Sequence, residues 1–158
     1  SASWRALFAK VARRGWSVEI QRGMEDLGEI VPQILQSGVA VVIDHFGLPD
    51  GEIDPANSDH RALLSLLPSE AIWVKLSATY RSRSTPAQAR RSIDRLREVY
   101  GHGDRLVWGS DWPHTRFEAQ TDYDAQFSLM ETLLPDAAER RKILIDNPAR
   151  LFGIDRAA

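Results

Sequence analysis

The apolar positions of this chain change period repeatedly along its length. Trp4, Leu7, Phe8 and Val11 recur at helical spacing, and Gly15 follows as a stop. Residues 16–21 then alternate apolar and polar, predicting a short strand. Leu27, Ile30, Val31, Ile34 and Leu35 form a second helical stripe, which Pro32 is expected to kink or split. Gly38 ends it. Residues 39–43 are an unbroken apolar run, the pattern of a strand buried on both faces of a parallel sheet. Turn formers crowd residues 47–51, and a polar loop continues to Asn57. A helix carrying Leu63, Leu64, Leu66 and Leu67 comes next, then a strand at Ile72–Leu76.

Thr85, Pro86, Ala87 and Gln88 make a capping box with proline at the first helical position. The helix they open presents Ile93, Leu96 and Tyr100 on one face, and residues 105–108 form a fourth strand. The tail is helical. Tyr123, Phe127, Met130 and Leu134 mark one segment, Asp136 and Glu139 the capping box of another, and Asn147-Pro148 the N-cap and first position of a last one closed by Gly153. Strands alternating with helices imply right-handed crossovers and a parallel sheet. No linker or repeat divides the chain, so residues 1–158 read as a single α/β unit. Four such strands suit an open sheet or half of an eight-stranded barrel, because a whole barrel takes about 250 residues.

Composition narrows the partners. The chain has 158 residues, 43% hydrophobic and 27% charged, with a formal net charge of −2. Seventeen of the twenty basic residues are arginines scattered among twenty-two carboxylates, so no basic stripe points to nucleic acid. No apolar run approaches the roughly 20 residues of a membrane span, and no charged-then-apolar leader is visible. The absence of cysteine excludes disulfides, thiolate metal sites and cysteine nucleophiles. A cytoplasmic protein acting on a small molecule is the expectation.

In parallel α/β folds, functional side chains gather at the carboxyl ends of strands. The four ends here offer Glu19, Gln21 and Arg22; Asp44 and His45; Lys75, Ser77, Tyr80 and Arg81; and Gly109, Ser110, Asp111 and His114. A neutral imidazole at His45 can ligate a metal or donate to a substrate carbonyl; the plainer alternative is a core histidine bonded to a neighbouring carbonyl. Asp44, one residue earlier, points the other way in a strand and reads as a structural or helix-facing carboxylate. Asp111 either caps a turn, takes a proton from water attacking a carbonyl carbon, or ligates a metal. Arg81 sits in a serine- and arginine-rich loop, solvated unless it turns inward, where its planar fork suits a substrate carboxylate. Lys75 is a barrel-interior charge or a helix-facing stem, with a structural role favoured. His60 and His102 are expected to face solvent, whereas His114 is near enough to Asp111 to line a pocket mouth. Gln21, Tyr80, Arg81 and His114 are the candidate substrate-binding groups. Ser77 and Ser110 lack the strand-turn-helix setting of a nucleophile elbow, so no serine nucleophile is assigned.

Four stretches carry a family likeness: residues 42–47 (VIDHFG), 74–78 (VKLSA), 105–114 (RLVWGSDWPH) and 147–153 (NPARLFG). They resemble the amidohydrolase-related family, and within it the 2-pyrone-4,6-dicarboxylate and sugar-acid lactonases. The resemblance implies a TIM-like (β/α)8 barrel and hydrolysis of a C–O or C–N bond, usually in a lactone. It implies Asp111 as general base after the eighth strand, and His45 after the sixth as the group that binds and polarises the carbonyl. Arg81 matches an arginine that grips a substrate carboxylate. Leu48 stands where dicarboxylate-specific members have arginine, which counts against a pyrone dicarboxylate. The His-x-His pair of the family's first strand is absent, so the four strands are numbers five to eight, the C-terminal half of the barrel. The other half is expected upstream or on another chain, and unpaired edges favour homo-oligomers. The resemblance leaves the cofactor open between a divalent metal such as zinc and none. The alternatives are a metal-dependent decarboxylase of the same superfamily and a fragment inactive without its other half.

Overall fold

Four strands lie side by side in chain order, every neighbouring pair parallel: β1 (Ser17–Ile20), β2 (Ala40–Ile43), β3 (Ile72–Leu76) and β4 (Leu106–Trp108). This computed structural model describes residues 2–154. Helix α1 (Ala2–Arg13) precedes the sheet, and α2 (Met24–Leu35), α3 (Ser58–Leu64) and α4 (Pro86–Tyr100) connect one strand to the next. After β4 come α5 (Tyr123–Leu133), α6 (Ala137–Arg141), a π-turn at Lys142–Asp146 and α7 (Asn147–Phe152). The alternating order is the parallel α/β architecture that the periodicity predicts. No helix among the described residues is long and apolar enough to cross a membrane.

The two-residue period of the strands sorts side chains onto two faces. Ile20, Val41, Ile43, Ile72, Val74, Leu76 and Leu106 meet the helices, where Leu27, Val31, Leu63, Ile93, Leu96 and Met130 complete the main core. The opposite face carries Val42, Trp73 and Val107, which with Leu151 of α7 form a second, smaller cluster. Trp73 is also flanked by two guanidinium groups, Arg105 at 4.7 Å and Arg150 at 6.0 Å from the ring centroid.

Helix starts follow their caps. Thr85 Oγ1 accepts from Gln88 N at 3.3 Å while Gln88 Oε1 accepts from Thr85 N at 2.9 Å, the reciprocal capping box expected for α4. Asp122 and Asp136 cap α5 and α6 through bonds of 2.8 Å to Ala125 N and Glu139 N. Pro32, by contrast, does not split α2. Leu27, Val31 and Ile34 of that helix are buried, so tertiary packing outweighs the missing backbone donor. Gly28 lets α3 approach α2, since a Cβ there would come within 2.7 Å of Ala62 Cβ.

Two sequence expectations fail. His60 is buried rather than solvent-facing, because the α3 cap at Asn57 turns the chain so that its Nδ1 accepts from Asp54 N at 2.9 Å. His102 does stay exposed. Asn147 does not cap α7, because the helical run continues into it through the π-turn. Its fully buried side chain instead donates through Nδ2 to the carbonyls of Gly103 at 2.8 Å and Leu106 at 2.6 Å, tying the C-terminal helix to the entry of β4. Replacing Asn147 with Ala strands both acceptors away from water. The expected cost is about 2–3 kcal/mol, read as a lower urea midpoint at unchanged slope.

Candidate active site

Three of the four strands leave the sheet through backbone that ordinary side chains rarely adopt. After β2, His45, Phe46 and Leu48 have φ of 51°, 58° and 52°; after β3, Ala78 has 47°; after β4, Asp111 has 62° and His114 has 59°. Each such residue costs on the order of 1–3 kcal/mol and persists only where surrounding contacts hold it. The contacts here are polar. They gather His45, Ser77, Tyr80, Arg81, Asp111 and His114 at the carboxyl end of the sheet.

Asp111 is the hub. Its Oδ2 accepts from the Tyr80 hydroxyl and from Arg81 Nε, the latter at 2.7 Å. Its Oδ1 faces His45 Nε2 at 3.5 Å. The Arg81 side chain turns inward instead of pointing to solvent, and its Nη2 donates to Thr115 O at 3.3 Å. The guanidinium also lies 5.1 Å from the Phe117 ring and 5.6 Å from the Tyr80 ring. His45 Nδ1 lies 2.8 Å from Ser77 Oγ. A lone pair on Nε2 would be repelled by the facing carboxylate, so these partners assign the Nε2–H tautomer, with Ser77 donating to Nδ1. His114, which is buried, meets the Tyr80 oxygen through Nδ1 at 3.1 Å.

Beside this cluster lies a second ionic group. Lys75 Nζ reaches Glu19 Oε1 at 2.7 Å and Asp44 Oδ1 at 2.8 Å. Strand register puts Glu19 opposite Val42 and Lys75 opposite Val107, on the face turned away from the helices. Asp44 is therefore not helix-facing, and Lys75 is an interior charge of that face. The chain leaves strand geometry at His45, whose side chain goes to Ser77 and Asp111 while that of Asp44 goes to Lys75. Both side chains then work at the same end of the sheet. The Lys75 stem crosses Gly109, where any Cβ would meet its Cδ at 2.9 Å.

Gln21 follows β1 but is exposed, and no hydrogen bond joins it to the cluster. Sequence reasoning places Ser77 at a strand end without assigning it a role, and misses Thr115 and Phe117. Ser77 stood at a strand end and was the one with a readable signal; the other two come from a loop of tight turns, in which His114 N donates to Asp111 O and Phe117 N to His114 O, each at 2.7 Å.

The sequence profile of the family described as amidohydrolase matches residues 1–154. The chain belongs to the amidohydrolase family. The 4-sulfomuconolactone hydrolase of Hydrogenophaga intermedia is 30% identical over 163 residues, a match covering 94% of this chain and 52% of that protein. A crystal structure from Pseudomonas putida, provisionally assigned as a 2-pyrone-4,6-dicarboxylic acid hydrolase, superposes with a TM-score of 0.90 at 34% identity, over 99% of this chain and 59% of that one. A counterpart from Acinetobacter baumannii, with the same provisional assignment and citric acid bound, gives a TM-score of 0.88 at 30% identity over 98% and 58%. This amidohydrolase chain spans about half the length of the curated relatives it matches. Its four strands are half of a (β/α)8 barrel, as the sequence implies.

Among the described residues of the amidohydrolase, no group of three or more histidine, aspartate or glutamate side chains could hold a metal. Asp111 and His45 are two donors, and a catalytic zinc takes about three from protein. Arg81 and Tyr80 already occupy Asp111 Oδ2. These residues alone do not make a metal centre.

Burial draws the Asp111 carboxyl upward, but the hydrogen bonds from Arg81 and Tyr80 outweigh it and hold the group below the usual carboxylate range. Burial of His45 lowers its pKa from 6.5 to about 4 despite the attraction of Asp111. Burial also raises the Tyr80 hydroxyl, with the Asp111 charge adding to it. For Lys75, burial acts downward and the bonds to Asp44 and Glu19 reverse it, leaving the ammonium above its ordinary value.

The cluster at neutral pH is therefore an anionic Asp111, a cationic Arg81 and a neutral His45. Unfolded chain takes up a proton at His45 near pH 6.5 that the native chain refuses until about 4. Stability conferred by the neutral imidazole is thus present above pH 6.5 and lost progressively as pH falls toward 4. Thermal midpoints measured from pH 7 to pH 4 are expected to fall more steeply for the unmodified protein than for His45→Gln; parallel slopes would contradict the assignment.

Proposed function

We propose that this chain carries the base and carbonyl-binding side of a lactone-opening active site. The observation that carries the reading is the division of labour on Asp111. Oδ2 is occupied by Tyr80 and Arg81, whereas Oδ1 faces only the imidazole of His45. An ionised carboxylate with one oxygen anchored and one open is arranged to take a proton from water.

Water enters against Oδ1, and its oxygen attacks the lactone carbonyl carbon as Asp111 takes the proton. The carbonyl oxygen gains charge and receives a hydrogen bond from His45 Nε2–H, which as a neutral imidazole stabilises that charge. Collapse of the tetrahedral intermediate breaks the ring C–O bond, and the departing alkoxide recovers the proton from Asp111. The product is a hydroxy acid, and Asp111 is regenerated as the anion. Arg81 bonds Asp111 through Nε and Thr115 O through Nη2, which leaves Nη1 to take a substrate carboxylate beside the base.

The lactone-hydrolase name of the Hydrogenophaga relative and the citric acid bound to the Acinetobacter relative support a small acidic lactone as substrate. Leu48, with no charge to offer after His45, favours one carboxylate contact over two. Catalysis needs the remaining strands, which join at β1 and β4; among the described residues each of these pairs with one neighbour. Those strands come from the same polypeptide or from another chain, including a second copy.

A screen of sugar-acid and muconate-type lactones with full-length protein, with and without chelator, tests reaction class and metal need together. Asp111→Asn is expected to lower kcat about a thousandfold with folding intact. Near-normal turnover would remove Asp111 as the base. His45→Asn is expected to lower kcat strongly, and Arg81→Lys to raise KM more than it lowers kcat.

A further inference from the structure

The ionic group built on Lys75 touches both stretches of backbone that deliver the reactive side chains. Lys75 lies one residue past the Val74–Ile43 pair and opposite Val107 of β4. Its ammonium reaches Asp44 Oδ1 at 2.8 Å and Glu19 Oε1 at 2.7 Å. Its stem lies over Gly109, the side where a Cβ would meet Cδ at 2.9 Å. Asp44 immediately precedes His45, and Gly109 stands two residues before Asp111. His45 and Asp111 are themselves left-handed, with φ of 51° and 62°. Each strand therefore turns out of the sheet just past its contact with Lys75. Backbone of that kind persists only where its surroundings hold it.

We propose that Lys75 is a positioning residue whose side chain pins the two strand ends from which His45 and Asp111 turn, and so sets the spacing between imidazole and carboxylate. That spacing is 3.5 Å from Nε2 to Oδ1. Among the described residues no hydrogen bond or ion pair joins Lys75 to either group, so it acts through the backbone they share with Asp44 and Gly109. Stability does not explain the arrangement. Asp44 is buried and the Lys75 side chain is only 20% exposed, and uncharged side chains of similar size hold such a position as well or better. What the ammonium adds is direction, because its donors go to two carboxylates on different strands while the stem spans a third. A displacement of about 1 Å at a reacting centre costs about a hundredfold in rate. The pinning stands on geometry alone, whereas its effect on turnover rests on the lactonase reading.

Selective 15N-histidine labelling of full-length protein and long-range 1H–15N correlation at neutral pH read the setting of His45 without turnover. The expected spectrum shows His45, identified by its loss in His45→Gln, at the Nε2–H limit. The triple variant Glu19→Gln, Asp44→Asn, Lys75→Met removes the ionic contacts and leaves no charge uncompensated. It is expected to keep the urea midpoint, to move His45 toward a mixture of tautomers, and to lower kcat for a sugar-acid lactone about a hundredfold with KM within about twofold. Gly109→Ala displaces the stem with every charge retained, which covers a poorly folding triple variant. It should shift the His45 signal in the same direction and lower kcat about tenfold, and adding it to the triple variant should change nothing further. A merely structural Lys75 would lower the urea midpoint and leave the His45 signal and the kcat of folded protein unchanged; that outcome overturns the proposal. So does a rise in KM at constant kcat, or a Gly109→Ala effect that persists in full in the triple variant. Absence of any lactone turnover, with His45 responding as expected, counts against the lactonase reading instead.

Discussion

A carboxylate removed from water needs its charge answered, and the carboxyl end of this sheet is organised around answering it at Asp111. Arg81 supplies the opposite charge through Nε, and Tyr80 supplies a second donor to the same oxygen. Losing one partner of such a pair costs far more than the pair contributes, so the arrangement behaves as one unit. It fixes an inward Arg81, a phenol proton pointed at Asp111 and a neutral His45 opposite the remaining oxygen. The left-handed residues at the strand ends are tolerated because these contacts hold them.

The sheet keeps this electrostatic end apart from the apolar mass that stabilises the fold. One face is committed to helices through Ile43, Val74, Leu76 and Leu106. On the other, Val42, Trp73 and Val107 share the face with Glu19 and Lys75, and Asp44 follows at the end of β2. Lys75 spans three strands from within β3, linking β1 and the end of β2 while crossing Gly109 after β4. That ammonium ties together the strand ends that carry the reactive groups.

Most of the architecture was legible because it depends on local rules. The apolar run at 39–43, the capping box at Thr85 and the stop glycines each act over a few residues. The places of His45 and Asp111 were legible for the same reason, since strand ends can be counted. What escaped depends on geometry that no period encodes. Asp44 lies on the face turned from the helices because its salt bridge to Lys75 draws it there, a partner three elements away that no local period reports. Pro32 leaves α2 unsplit because the burial that holds this helix comes from other elements. Ser77 showed no nucleophile setting and was passed over, although its role toward His45 is to set a proton rather than to attack. Phe117 and Thr115 reach Arg81 through turns whose path the residues alone do not show.

The π-turn between α6 and α7 has a consequence for how the floor of this half barrel is closed. A π-turn accommodates an extra residue, and one residue of an α-helix is about 100° of rotation. Everything after Asp146 is therefore phased differently from a continuation of α6. With this phase Asn147 and Leu151, four apart and on one stripe, meet the sheet together, one bonding the β4 carbonyl of Leu106 and the other sealing Val42, Trp73 and Val107. Helical phase, an attribute of chain length rather than of residue identity, decides which side chains plug the bottom of the barrel. A one-residue deletion there would leave every plug residue in the sequence and turn all of them away from their sockets.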